Sequence, residues 1–64
     1  MLKDFPLQMQ YSNFNKMSTK DKLNMQDEIF KRLNDVHGPV IDTYGEILEE
    51  EDKIIIHSIV DVRE

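Results

Sequence analysis

The run Lys53-Ile-Ile-Ile-His-Ser-Ile-Val-Asp-Val62 restricts this chain more than any other feature, and it directly follows the acidic block Glu49-Glu50-Glu51-Asp52. A stretch this rich in β-branched side chains, bounded by charge, reads as a strand. A strand needs a neighbour, and the preceding segment supplies one. With Glu49–Asp52 as a four-residue loop, Leu48 falls opposite Lys53, Ile47 opposite Ile54, Gly45 opposite Ile56, Thr43 opposite Ser58 and Ile41 opposite Val60. Aliphatics then meet aliphatics or glycine, and two small hydroxyls meet each other, which is the agreement that cross-strand pairing demands. A second helix over 39–51 also fits the spacing of Val40, Ile41, Tyr44, Ile47 and Leu48. Against it, Thr43 and Gly45 are poor helix formers, and the acidic block would oppose the dipole at a helix C-terminus. A hairpin is therefore expected, with strands at about 40–48 and 53–62.

Upstream, Ser18 followed by Asp21 offers an N-cap and a first-turn carboxylate. Met25, Ile29, Phe30, Leu33 and Val36 then recur on one helical face, with Leu23 at its margin. Gly38 is expected to cap the helix in the left-handed conformation and Pro39 to prevent its continuation, so a helix is expected at about 19–37. Earlier still, Leu7-Gln8-Met9-Gln10-Tyr11 alternates as a half-buried strand does, behind a Pro6 suited to a strand start or an edge. Ser12–Asn15 reads as a turn. The expected fold class is α+β: a small two-layer domain of β-α-β-β order, its three-stranded sheet carrying one amphipathic helix on one face.

One helix can cover only one face of that sheet. The helix side would hold Ile41, Ile47, Ile54, Ile56 and Val60. The other side would show Val40, Tyr44, Leu48, Ile55 and Ile59 among Asp42, Glu46, Lys53, His57 and Asp61. So many large apolar residues in one patch rimmed by charge are more than scattered surface hydrophobes. Either the N-terminal arm, with Leu2, Phe5 and Phe14, folds over this face as a second core, or the face is an interface.

Size and charge narrow the classes. Sixty-four residues make one domain, near the lower limit for a core that stands alone, and the absence of cysteine excludes disulfides and thiolate metal sites. No apolar run approaches a membrane span and no signal-peptide core is present, so a cytoplasmic location is expected. Residues 1–38 carry six basic and five acidic side chains, whereas 39–64 carry two and eight, so the net charge of −5 resides in the second half. Such a half-molecule repels phosphate and attracts basic surfaces, which makes direct nucleic-acid binding an unfavourable assignment. Alanine and tryptophan are missing while Ile, Lys and Asn are common, a composition that fits an AT-rich genome such as that of a low-GC bacterium or its phage.

Little in the chain suggests a reaction. The 49–52 block has neither the ligand spacing nor the central glycine of a calcium loop and reads as a solvated acidic turn. His37 is placed to meet the last carbonyls of a helix, and His57 faces Tyr44 on the uncovered side; two isolated histidines do not make a zinc site. No nucleophile, phosphate loop or cofactor motif accompanies them. The expectation is a non-enzymatic protein-binding module without cofactors, a small acidic regulator or inhibitor whose partner has a basic surface. Its expected contacts are Asp42, Glu46, Glu49, Glu50, Glu51, Asp52 and Asp61 for charge, with Tyr44, Leu48, Ile55, His57 and Ile59 for apolar area. Where that basic groove normally holds DNA or RNA, the carboxylates would imitate phosphates. The alternative is an assembly subunit that forms homodimers through the same sheet, its acid serving only solubility.

Overall fold

The hairpin forms as the pairing pattern requires. A computed structural model describes residues 1–63, with β1 at Leu2–Gln10, α1 at Tyr11–Lys16, α2 at Thr19–Val36, β2 at Val40–Leu48 and β3 at Lys53–Asp61. A single 3₁₀ turn, Glu49–Glu51, joins β2 to β3, and Asp52 closes it with a left-handed backbone (φ 51°) that aspartate tolerates. The sheet is wholly antiparallel in the order β1-β3-β2, so the last strand in sequence is the central one. The α+β class with one main helix and a three-stranded sheet is thus what the chain adopts.

From Leu48↔Lys53 to Asp42↔Ile59 the β2–β3 register is the expected one. Beyond it the expectation fails: Val40, not Ile41, lies opposite Val60, because a bulge intervenes between Val40 and Asp42. The bulge inserts a residue, returns Val40 to the helix side of the sheet and leaves Ile41 half outside it (54% exposed).

β1 is longer than its alternating pattern suggested, starting at Leu2 rather than Leu7, with Pro6 inside it. Hydrogen bonding explains how a proline is tolerated there. Val62 donates its amide to the Met1 carbonyl and Tyr11 to that of Asp52, while Asp61 donates to Pro39. Even-numbered positions of β3 therefore bond toward β1 and odd-numbered ones toward β2. Pro6 lies opposite the odd-numbered His57, so its missing N–H falls on the outer edge, where no ladder bond is lost.

Tyr11–Lys16 is a short helix rather than a turn, and Tyr11 begins it instead of ending β1. α2 begins as its cap residues imply, with the Ser18 hydroxyl accepting from the Asp21 amide at 3.1 Å. Its far end differs from expectation. The His37 and Gly38 amides both bond the Leu33 carbonyl, but Gly38 has φ 153°, an extended positive-φ conformation rather than the left-handed helical one. Nor does His37 serve the terminal carbonyls. Its ring packs against Phe5 at a 34° tilt with centroids 4.5 Å apart, and the Arg63 guanidinium instead donates to the carbonyls of Asn34 and Asp35.

The core is thin. Ile54 and Val60 are the buried aliphatics, with Ser58 between them, and no residue of α2 is fully buried. Met25, Ile29, Phe30 and Leu33 are half-buried over the sheet, while Val36 (65% exposed) and Leu23 (54%) lie off the packed face. Ile47, expected beneath the helix, is half exposed at the β2 edge together with Ile41.

Candidate functional site

The uncovered face of the sheet is built from alternate residues of all three strands: Ile55, His57 and Ile59 on β3, Tyr44, Glu46 and Leu48 on β2, and Leu2, Asp4 and Pro6 on β1. The N-terminal arm does not close it. Leu2 and Phe5 are committed to β1, where Phe5 faces Ser58 on the helix side, and Phe14 sits in α1 beneath the Lys22 ammonium.

His57 is the centre of this face. Its Nδ1 lies 2.8 Å from Asp4 Oδ2 and its Nε2 3.2 Å from Glu46 Oε1, so each ring nitrogen meets a carboxylate from a different flanking strand. Tyr44, its direct partner across the ladder, stacks nearly parallel on it with centroids 4.5 Å apart and an 11° interplanar angle. A ring between two carboxylate acceptors donates from both nitrogens when it is an imidazolium. The Asp4 bond foremost, and then the Glu46 bond, raise the His57 pKa above 6.5. Because the carboxylates grip opposite edges of the ring, they do not converge on a common point. Among the described residues no group of three or more His, Asp or Glu side chains is placed to hold a metal ion.

The other expected acids fall into distinct roles. Asp42 accepts the Thr43 amide at 2.9 Å, and Asp61 accepts the Met1 ammonium at 3.1 Å. Glu49, Glu50 and Glu51 are exposed in the turn, with Glu51 3.8 Å from Lys53. Asp52 alone turns inward: it is half-buried, bonded to Ser12, and its pKa is lowered chiefly by the Ser12 hydroxyl. The solvated turn thus comprises Glu49–Glu51, with Asp52 as its anchor. Leu48, Ile55 and Ile59 are half-buried, and Tyr44 is 51% exposed.

Reasoning from sequence missed Asp4, Ser12 and Arg63. Asp4 was legible in principle, because alternation runs back through Phe5 once Pro6 is allowed inside an edge strand. Ser12 and Arg63 act through contacts that no local pattern announces.

On the helix side a second feature appears. An apolar cleft of about 240 Å³ lies between α2 and the β2 half of the sheet, lined by Phe14, Met25, Ile29, Phe30, Gly45 and Ile56 among others. No helix among the described residues is long and apolar enough to cross a membrane. Comparison with protein-family models finds no match, and comparisons with curated proteins and with solved structures find none either.

Proposed function

We infer that this chain is a non-enzymatic module that binds another protein, using the uncovered sheet face and the acidic turn beside it. The observation that carries this reading is the composition of that face: half-buried Ile55 and Ile59 flank the carboxylate-bonded His57, with the carboxylates of Asp4, Asp42, Glu46 and Asp61 around them. Apolar area at the centre supplies affinity, and a rim in which carboxylates outnumber the Lys53 ammonium supplies orientation and fast encounter with a basic partner. A basic protein surface is the complement, and a groove that otherwise holds a nucleic-acid backbone belongs to that class. A regulator or inhibitor of such a partner, acting in the cytoplasm of a bacterial or phage-infected cell, is the specific form of this reading. The exposure of Ile41, Tyr44 and Ile47 also favours self-association as a second reading, but a copy of the same face would bring like charges together.

The test is capture from a bacterial lysate by the immobilised chain, compared with a variant in which Asp42, Glu49, Glu50 and Glu51 become Asn or Gln. Capture that weakens with added salt and is lost in the variant supports the reading. Capture that is indifferent to both salt and the substitutions removes it.

A further inference from the structure

The two edges of this sheet are not equivalent. On β1 the outward N–H groups belong to even-numbered residues, and Pro6 deletes the middle one. On β2 the inward bonds belong to Asp42, Tyr44, Glu46 and Leu48, the partners of odd-numbered β3 residues, so Thr43, Gly45 and Ile47 point their backbone groups outward. Asp42 occupies the Thr43 amide, next to the bulge. Among the described residues nothing outside the sheet bonds the Gly45 and Ile47 amides, on a strand whose residues from Ile41 to Ile47 are all exposed.

The apolar cleft lies along this same strand. Gly45 contributes no side chain to it, and a Cβ there would meet only Ile54 Cδ1, at 3.8 Å. A strand laid along β2 would therefore find open amides in the sheet plane, an apolar slot under α2 on one side, and the Asp42 and Glu46 carboxylates on the other.

We propose that the β2 edge, from Thr43 to Ile47, receives an extended antiparallel segment of a partner protein whose alternate residues are apolar and basic. The apolar side chains enter the cleft between α2 and β2, and the Lys or Arg side chains lie beside Asp42 and Glu46. This is strand addition, in which main-chain bonds give affinity and alternate side chains give selectivity. A second copy of the chain does not fit, because its β2 would set Asp42 and Glu46 beside their own counterparts on a molecule of net charge −5. The proposal rests on the reading of the chain as a binder of basic partners and specifies where and how the partner docks.

The test uses the intact ¹⁵N-labelled chain and a ten-residue peptide alternating valine with lysine. In an antiparallel seat the valine amides face Gly45 and Ile47, and the lysine amides face solvent. N-methylation of the valine amides should weaken binding at least tenfold, N-methylation of the lysine amides should be tolerated, and a glutamate-for-lysine peptide should not bind. Gly45→Val, whose Cβ would meet nothing nearer than Ile54 Cδ1 at 3.8 Å, puts a side chain into the cleft and should weaken binding at least fivefold while leaving Tm unchanged or higher. Equal binding of both N-methylated peptides, with loss in Ile59→Ser, would overturn strand addition while leaving the acidic-face reading intact. No binding of any lysine peptide at low salt would overturn both. Dimerisation of the free chain that Gly45→Val abolishes would assign the edge to a second copy instead.

Discussion

Ser12 and Asp52 join the start of α1 to the β2–β3 turn: the Asp52 carboxylate accepts the Ser12 amide at 2.9 Å through one oxygen and the Ser12 hydroxyl at 2.8 Å through the other. The first turn of α1 is thereby capped by the β2–β3 turn rather than by its own flanking residue, since Gln10 makes no capping bond.

Ser12→Ala should accordingly loosen α1 and lower thermal stability, and it should also alter the acid limb. Asp52 has a folded pKa below 3.8, so its stabilisation is present above that value and is lost as pH falls through the lowered one. Thermal melts from pH 2 to 6 should show a shallower acid loss in the variant than in the parent chain. Parallel acid limbs would mean that Asp52 gains nothing from Ser12.

His57 predicts the opposite slope. Its folded pKa is raised above 6.5, so the folded state holds the proton more tightly than the unfolded one. That stabilisation is complete below about pH 6.5 and is lost as pH rises through the elevated value. Tm should fall across this window in the parent chain and stay level in His57→Gln. NMR titration of the ring should show Asp4→Asn lowering the His57 pKa more than Glu46→Gln does.

Gly38→Ala is expected to be the most damaging single methyl. The φ of 153° costs a side-chain-bearing residue about 1–3 kcal/mol. The added Cβ would also run into the Asp61 carbonyl oxygen. Chemical denaturation should report a loss of at least that size; a loss below about 0.5 kcal/mol would contradict the geometry described.

The hairpin and the long helix were legible because each rests on a local pattern: period-2 pairing across 43–48 and 53–58, and the stripe Met25, Ile29, Phe30 and Leu33 behind the Ser18 cap. The uncovered face followed from counting layers. What remained hidden depends on contacts between distant segments. Ile41 looks like a core residue until the bulge is seen, and His37 looks like the cation for the α2 terminus until Arg63 reaches it. Asp4 joins the His57 cluster only because β1 begins five residues earlier than its clearest alternation.

Arg63→Ala should test that terminal contact directly. A cation at a helix C-terminus contributes about 0.3–1 kcal/mol, so a loss in that range is expected, shrinking with added salt. Hydrogen exchange should accelerate at the His37 and Gly38 amides while β3 is unaffected. Protection unchanged at both would remove Arg63 from the cap.

Pro6→Thr should restore an outward amide to β1 without disturbing its ladder to β3. The expected result is a folded chain with concentration-dependent association, visible by light scattering, since a long edge has lost its blocking residue. A strictly monomeric variant at millimolar concentration would show that Pro6 does not guard that edge.

The central place of β3 also sets the order in which the molecule assembles. β2 meets β3 through a tight turn, whereas β1 must find it across nearly the whole chain, as the pairing of Phe5 with Ser58 shows. Closing so large a loop is slow, so β1 is the last strand to dock and the first to peel away. When it leaves, Ile54, Ile55 and Ile56 stand on a bare edge able to recruit the β1 of a neighbour. The dwell time of one N-terminal strand, rather than the depth of the small core, then decides how long a monomer remains one.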